Sequence, residues 1–498
     1  MRPALESQKS AVVDIGSNSV RLVIYEVTGS AALPYFNEKV LAGLGRGLPE
    51  TGRLSAQGVE EALGALRRFR AILKGLEVDE VIAVATAAVR EAEDGQEFAR
   101  LAAAELGAPL QILTGVDEGR LSARGVQVGF DQPDGLIGDL GGSSLEFYGI
   151  SPSGPTGEGE THPLGPFALS LENNMKPADR RKAIRKVLKG SALLNTGARR
   201  LYAVGGSWRA IASVHIELTA YPLGVLHGYR MNGQAVRHVV REILSTQRDK
   251  DMAQRISAIV GRRFDTIVHA ALVLDEVFDM GGFKEVVISA NGLRDGVLFD
   301  QHGPTLFSAP DAPVGDPLAD GLAAYLRLDQ AQHAFGEALY EFVRPVLPKS
   351  VARERIFRAA CLAADSGGRY HPDHRADMAY FLMLRAPVAC LSHEDRVFLA
   401  HATGLRYTHK FQRPKQFVHI GRESDEQVAR VLGAAMRLGA VYSGRSATLL
   451  QDARLKPTKS KLLLDVAPDC EDMVSATVLK RLNQLATFMD LDAQVANA

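Results

Sequence analysis

The chain carries one sequence pattern twice, as Asp14-Ile-Gly-Ser-Asn-Ser-Val-Arg21 and, about 125 residues later, as Asp139-Leu-Gly-Gly-Ser-Ser-Leu-Glu146. In each copy an apolar run ends at an aspartate, a glycine-rich turn follows, and a second apolar run begins. Apolar and β-branched residues on both sides of such a turn are typical of two strands joined as a hairpin. The duplication predicts two related half-structures that share a cleft.

The turns of the two hairpins are suited to binding an anion. Glycine permits a positive φ and a close backbone approach, so that successive N–H groups can point into one concavity. Serine and asparagine side chains add further donors. We therefore expect phosphate-binding residues in both turns, namely Ser17, Asn18, Ser19, Gly141, Gly142, Ser143 and Ser144.

Composition limits the classes of partner. The 498 residues include 58 lysines and arginines against 58 aspartates and glutamates, and this balance disfavours nucleic acids and membranes as partners. The three cysteines, Cys361, Cys390 and Cys470, are too few and too widely spaced for a disulfide framework. The sequence also has no apolar run long enough for a membrane span. These two observations predict a cytoplasmic protein.

Strand and helix patterns alternate through the first three hundred residues, as in an α/β fold. We predict a first lobe at residues 1–130 and a second at 131–303. A proline-rich linker follows at 302–317, and the residue pattern after it predicts helices to about residue 445. The predicted domains are completed by a helical one at 304–445 and a small α+β segment at 446–498.

Five stretches in order resemble the exopolyphosphatase/guanosine pentaphosphatase (Ppx/GppA) family. They are the two hairpin motifs, Ala85-Thr-Ala-Ala-Val-Arg90, Gly115-Val-Asp-Glu-Gly-Arg-Leu121 and Leu293-Arg-Asp-Gly-Val297. The resemblance covers almost the whole chain. It implies two ribonuclease-H-like lobes of the actin, sugar kinase and heat-shock ATPase superfamily with a phosphate-binding cleft between them, and a homodimer.

The resemblance also implies roles for individual residues. Glu118 matches the family position for the general base that takes a proton from the attacking water; Asp117 is the weaker alternative. Arg21 and Glu146 stand at the same place in the two hairpins, so both should reach the cleft, Arg21 to hold phosphate oxygens and Glu146 to orient water or a metal ion. Arg90 is a second phosphate contact.

A divalent cation is implied as well. Asp14, Asp139 and Glu146 are the expected ligands of Mg²⁺, which keeps several waters and needs few carboxylates; K⁺ is possible in addition. The turn at Gly205 and Gly206 resembles the nucleotide-contacting turn of the related kinases. Because Trp208 and Arg209 follow it, binding of phosphate there and simple closure of the second lobe remain open alternatives.

The helical region resembles the HD-type phosphohydrolase domain appended in this family. A working site of that class needs an adjacent His-Asp pair as metal ligands. This chain reads Ala364-Asp365 at the expected position, which predicts a degenerate domain without a second active site.

Together these patterns predict an exopolyphosphatase that releases orthophosphate from the end of inorganic polyphosphate. Hydrolysis of guanosine pentaphosphate to the tetraphosphate is the close alternative, because it cleaves the same kind of terminal anhydride. An ATP-dependent kinase of the same superfamily and a nucleotide-switched regulatory protein are the more distant ones.

Overall fold

A computed structural model describes residues 7–167, 175–302, 316–422 and 424–497. These residues form two compact units. We name them the two-sheet unit, residues 7–27 and 34–302, and the helical unit, residues 28–33 and 316–497. The predicted linker at 302–317 lies mostly outside the described residues.

The first half of the two-sheet unit is a five-stranded sheet with the strand order β3-β2-β1-β4-β5. Its strands are β1 Gln8–Ile15, β2 Val20–Thr28, β3 Ala31–Val40, β4 Glu80–Ala85 and β5 Leu110–Ile112. Its helices are α1 Leu48–Thr51, α2 Ala56–Gly75, α3 Ala87–Glu91, α4 Gly95–Leu106 and α5 Gly115–Gly129.

The second half is a six-stranded sheet with the order β10-β11-β9-β6-β7-β8. Its strands are β6 Gly135–Leu140, β7 Leu145–Ser151, β8 Gly154–His162, β9 Arg200–Val204, β10 Arg230–Asn232 and β11 Glu285–Ile288. Its helices are α6 Pro177–Leu188, α7 Gly206–Leu218, α8 Gly233–Ser245, α9 Lys250–Val260, α10 Phe264–Gly281 and α11 Leu293–His302.

The two sheets repeat one topology, which confirms the predicted duplication. In each, an antiparallel hairpin is extended by parallel strands: β1 pairs antiparallel with β2 and parallel with β4, and β6 pairs antiparallel with β7 and parallel with β9. The register is repeated too, since Asp14 lies opposite Arg21 and Asp139 lies opposite Glu146. The two turns close in the same way: Gly16 N–H donates to Ser19 O at 3.0 Å, and Gly141 N–H donates to Ser144 O at 2.9 Å.

Helix α5 carries the chain from the first sheet onto the second. Its Ala123 and Val126 are fully buried against Ile137, Tyr202 and Val204 of the second sheet. On another side α5 crosses α11 so closely that the backbones touch. A Cβ at Gly296 would lie 1.7 Å from Leu121 O, and this contact explains the need for a glycine there.

The helical unit contains the remaining elements. Its helices are α12 Pro317–Leu326, α13 Gln330–Val343, α14 Val351–Leu362, α15 Arg375–Leu384, α16 His393–Tyr407, α17 Ser424–Ser443, α18 Ala447–Gln451 and α19 Ala476–Phe488. A three-stranded sheet in the order β12-β13-β14 joins them, formed by β12 Ala453–Pro457, β13 Lys461–Val466 and β14 Asp492–Asn497. Helix α19 begins after Ser475, whose side chain accepts from Val478 N–H as an N-cap.

Short 3-10 helices in the described part of the chain lie at Leu193–Asn195, Gly261–Arg263, Arg344–Val346, Pro372–His374, Lys415–Ile420 and Pro468–Met473. Among the described residues, no helix is both long and apolar enough to cross a membrane.

Candidate active site

The two glycine-rich turns meet at the centre of the two-sheet unit. Ser143 Oγ donates a hydrogen bond to Ser17 Oγ at 2.9 Å, and both side chains are buried. A Cβ added at Gly142 would lie 3.3 Å from the Cβ of Ser17 and 3.2 Å from the ring of Phe167. The hairpins therefore face each other as predicted, with little room between them.

Of the two reasons expected for the turn glycines, a positive φ and a close approach, the positive φ is wrong. None of Gly16, Gly141 and Gly142 adopts a positive φ. The glycine at 142 is explained by space instead, since Ser17 and Phe167 approach it on two sides. Close packing between the hairpins, rather than a left-handed backbone, is what the second turn needs.

Two buried carboxylates, Glu118 and Glu146, lie beside the turns. Glu118 is 8% exposed and Glu146 is 1% exposed. Among the described residues, Glu118 Oε2 and both carboxylate oxygens of Glu146 lack a hydrogen bond. Burial raises the pKa of Glu118 to about 8, with a further contribution from the charge of Asp139. Burial, followed by the charges of Glu118 and Asp139, raises the pKa of Glu146 well above its usual value.

Local structure aims Glu118 inward and Asp117 outward. Helix α5 starts after Thr114, whose side chain accepts from Asp117 N–H, while the Asp117 carboxylate accepts from the Thr114 hydroxyl at 2.6 Å. The Asp117 side chain is 43% exposed. Arg90 reaches Glu118 instead, with Nη1 at 3.5 Å from Oε2, and donates to Leu113 O at 2.8 Å. The geometry favours Glu118 over Asp117 as the base.

The two hairpin aspartates have partners that the sequence predictions did not include. Arg294 Nη1 donates to Asp14 Oδ2 at 2.7 Å, and the Ser122 hydroxyl donates to Asp139 Oδ2. Signals for both were present in the sequence. Arg294 stands in a stretch that carries the family resemblance, and Ser122 follows Glu118 by four residues, which places the two on one face of α5.

Arg21 and Glu146 occupy equivalent positions but have different neighbours. Arg21 Nε donates to Asn37 Oδ1 at 2.8 Å. Burial lowers the pKa of Arg21, and the positive charge of Arg294 lowers it further. The charges that act on Glu146 are those of Glu118, Asp139 and Arg90. The two side chains thus belong to different parts of the site, one cationic and one acidic.

The cationic part of the site holds five side chains, which we name the basic cluster: Arg21, Lys39, Arg209, Arg263 and Arg294. Burial lowers the pKa of Lys39 to about 8, and the charges of Arg263 and Arg21 lower it further. Burial also lowers the pKa of Arg209 to about 10, and so do the charges of Arg294 and Arg21. Such mutual repulsion is relieved when an anion binds.

The turn at Gly205 and Gly206 lies next to this cluster. Gly205 has a φ of +105°, and a Cβ there would lie 2.4 Å from Leu140 O, so the position requires glycine. The guanidinium of Arg263 lies 2.5 Å from the place of a Gly206 Cβ. A cation therefore lies against the start of α7, where phosphate would be favoured.

No group of three His, Cys, Asp or Glu side chains in the described part of the chain is arranged to hold a metal ion. In the helical unit, Asp365 is bound by Arg406 at 3.0 Å and by Arg445 at 2.9 Å. Two arginines thus neutralise the carboxylate that an HD-type site would use for metal. The degenerate character of this region stays a prediction.

As a whole, the site can hold a chain of phosphates and supply a proton acceptor. The turns offer N–H and hydroxyl donors, the basic cluster offers positive charge, and Glu118 and Glu146 offer unpaired carboxylate oxygens. Anions and a polarised water are the ligands that such a set would satisfy.

Comparison with known proteins agrees with this geometry. Residues 22–303 match the model of the Ppx/GppA phosphatase family, and residues 341–495 match that of the exopolyphosphatase C-terminal region. Exopolyphosphatase 2 of Mycobacterium tuberculosis is 25% identical over 323 residues, which span 59% of this chain and 98% of the relative. A bifunctional 3-dehydroquinate synthase/phosphatase of Fusobacterium nucleatum is 25% identical over 312 residues, 58% of this chain and 46% of the relative.

Solved structures share the fold. An exopolyphosphatase from Cytophaga hutchinsonii superposes with a TM-score of 0.54 at 23% identity, covering 62% of this chain and 100% of its own. The Ppx/GppA family member of Aquifex aeolicus gives 0.52 at 22% identity, with 59% and 98% covered. The first family match alone spans more than half of the 498 residues. The chain therefore belongs to the Ppx/GppA phosphatase family.

Proposed function

We propose that this phosphatase is an exopolyphosphatase, which hydrolyses the terminal phosphoanhydride bond of inorganic polyphosphate. The observation that carries the proposal is the placement of two buried carboxylates, Glu118 and Glu146, whose oxygens include three without a hydrogen bond among the described residues, beside the two facing glycine-rich turns. The basic cluster continues the site with positive charge, which suits a substrate that is a charged phosphate chain along its whole length.

In the proposed reaction, the turns and Arg90 hold the terminal phosphoryl group. Glu118 accepts a proton as water forms a new O–P bond in line with the anhydride. The anhydride oxygen leaves with the shortened chain, and orthophosphate is released. The basic cluster binds the phosphates of the leaving chain.

We include Mg²⁺ in the proposal, bound by Asp14, Asp139 and Glu146 directly or through water, together with substrate oxygens. The unpaired oxygens of Glu146 and its raised pKa support a cation at this place. Since Mg²⁺ binds through few carboxylates plus phosphates, the lack of a three-residue cage does not count against it. The ion would neutralise charge on the transferring phosphoryl group.

Guanosine pentaphosphate is the second candidate substrate, because hydrolysis of its 5′-terminal anhydride is the same reaction. Arg263 over the Gly206 turn supports phosphate rather than a nucleoside at that place, and so favours polyphosphate. A cytoplasmic location and a homodimer also belong to the proposal; the three cysteines, which form no disulfide among the described residues, support the first.

A substrate panel tests the proposal. Purified protein with Mg²⁺ is offered long-chain polyphosphate, guanosine pentaphosphate, or ATP with sugars, and released orthophosphate is followed. We expect the highest kcat/KM with polyphosphate. Preference for guanosine pentaphosphate would establish the alternative, and phosphorylated sugar would establish a kinase. No phosphate from the first two substrates would contradict the proposed function.

A further inference from the structure

Each glycine-rich turn accepts main-chain hydrogen bonds from a short segment that follows the third strand of its sheet. We name residues 43–45 the first strap and residues 164–167 the second strap. The first strap comes three residues after β3 ends at Val40, and the second comes two residues after β8 ends at His162. The duplication thus extends beyond the hairpins themselves.

The first strap binds two consecutive main-chain carbonyls of its turn. Gly45 N–H donates to Ser17 O at 2.8 Å, and Gly43 N–H donates to Asn18 O at 3.1 Å. Gly43 has a φ of +68°, which favours glycine, and a Cβ at Gly45 would lie 3.1 Å from the Cβ of Ser17. Backbone conformation at Gly43 and lack of space at Gly45 therefore favour glycine at both positions of the first strap.

The second strap does the same at the equivalent positions. Phe167 N–H donates to Gly142 O at 2.9 Å, and Gly165 N–H donates to Ser143 O at 3.1 Å. A Cβ at Gly165 would lie 2.4 Å from the backbone of Gly142. Four hydrogen bonds, two to each turn, thus obey one pattern in the two halves.

These bonds fix the direction of the neighbouring N–H groups. In a trans peptide the C=O and the N–H of the next residue point in opposite directions. Carbonyls held toward the straps therefore turn four N–H groups away from the straps, those of Asn18, Ser19, Ser143 and Ser144. Among the described residues, none of these N–H groups donates a main-chain hydrogen bond outside the strands.

We propose that the two straps are positioning elements, which aim the N–H groups of both turns at the terminal phosphate of the substrate. Donors fixed in advance stabilise charge on a phosphoryl group better than donors that must reorient. The inference rests on the proposed function and assigns roles to Gly43, Gly45, Gly165 and Phe167.

A buried histidine supports the second strap. His269 Nε2 lies 2.8 Å from Leu164 O, and because a carbonyl can only accept, Nε2 donates. The ring is 3% exposed. His269 is therefore a positioning residue that acts through the strap.

Gly165→Ala tests the inference, because the new methyl group must push the strap and the Gly142 turn apart. We expect kcat for polyphosphate to fall about 100-fold, as when a main-chain or amide donor to a developing anion is lost. The inhibition constant of orthophosphate should rise about tenfold, since the same N–H groups bind the product. The affinity of a Glu118→Gln background for long polyphosphate should change less than about threefold, because the basic cluster still binds the polymer.

Gly190→Ala is the matched control, since nothing lies within 4 Å of a Cβ at Gly190 in the same half of the unit. It should retain wild-type kcat and orthophosphate inhibition. If Gly165→Ala does the same, the inference is overturned.

If Gly165→Ala fails to fold, a pair of variants at His269 tests the role of the second strap. His269→Gln keeps an N–H donor and should retain most of kcat, whereas His269→Leu removes it and should lower kcat about tenfold. Equal activity of the two variants would overturn the role of His269 and of the strap it holds.

Calorimetric titration with inorganic phosphate distinguishes failure of the proposed function from failure of the proposed role of the straps. If the wild type releases no phosphate from polyphosphate, the proposed function fails, yet weaker phosphate binding by Gly165→Ala would still support the straps. If the wild type is active and the variant binds phosphate equally well, only the straps fail.

Discussion

At the scale of single residues, the site depends on how each carboxylate is paired. Asp14 accepts a hydrogen bond from Arg294 and Asp139 accepts one from Ser122, whereas among the described residues Glu118 Oε2 and both oxygens of Glu146 accept none. A carboxylate that is buried without a hydrogen bond is a stronger base than an exposed one. This difference marks Glu118 and Glu146 as the groups available for chemistry.

Replacement of Glu118 by glutamine should reduce kcat by about 1,000-fold, because the amide cannot accept the proton of the attacking water. Binding of polyphosphate, followed by fluorescence anisotropy of a labelled polymer, should change little. Asp117→Asn is the control and should retain nearly full activity, since the Asp117 side chain is exposed and accepts from the Thr114 hydroxyl. Loss of activity only in Asp117→Asn would move the base to that residue.

Replacement of Ser122 by alanine should lower kcat about tenfold by freeing the Asp139 carboxylate to rotate. The measurement is kcat with saturating polyphosphate at several Mg²⁺ concentrations. Ser213→Ala, whose hydroxyl bonds Arg209 O within its own helix, is a control for loss of a helical hydroxyl. An unchanged kcat in Ser122→Ala would show that Asp139 needs no such partner.

At the scale of elements, the crossing of α5 and α11 connects Glu118 to the second half of the unit. A Cβ at Gly125 would lie 2.1 Å from Gly292 O, so any side chain there forces the backbones apart. Gly125 and Gly296 are thus explained by the close approach of α5 to α11 and to the residue that precedes it.

Gly125→Ala should lower the free energy of unfolding by about 3 kcal/mol through this overpacking. Gly64→Ala, in the middle of α2 with only an arginine tip at 3.7 Å, should raise it by about 0.5–1 kcal/mol, because alanine is the better helix former. Denaturant unfolding of both variants gives the comparison. Equal effects in the two variants would contradict the packing argument.

In the helical unit, His401 gives a pH dependence to stability. Its ring is 1% exposed, and burial lowers its pKa to about 4. The charges of Arg413 and Arg430 lower this pKa too, and that of Glu426, 3.4 Å from Nδ1, raises it. Between pH 6.5 and 4 the unfolded chain binds the proton more strongly than the folded one. Stability is therefore present above pH 6.5 and is lost as the pH falls.

The loss should be on the order of 3 kcal/mol between pH 6.5 and 4, measured by denaturant unfolding at several pH values. His401→Gln should flatten this part of the profile, while other groups contribute equally to both proteins. Identical slopes in the wild type and His401→Gln would contradict the assignment.

At the scale of the whole molecule, the sequence was most informative where residues are repeated. The hairpins and the facing turns were predicted from the two copies of one motif. The family was predicted from five short stretches, and the α/β architecture from the alternation of strand and helix patterns.

Other features depend on contacts between distant segments and could not be predicted from local pattern. The straps at residues 43–45 and 164–167 contain no repeated motif apart from glycine, and their register with the turns appears only in three dimensions. Lys39, Arg209 and Arg263 join the basic cluster from three separate elements. The positive φ expected at the turn glycines was wrong because a hairpin can also require glycine for space alone.

The central claim is that water attacks the terminal phosphorus of polyphosphate in a site that contains Glu118. Turnover in H₂¹⁸O with Mg²⁺, followed by mass spectrometry of the products, tests it most directly. The account predicts one ¹⁸O atom in each released orthophosphate, none in the shortened chain, and loss of this labelling in Glu118→Gln. Label in the chain end instead, or no orthophosphate from the wild type, would contradict it.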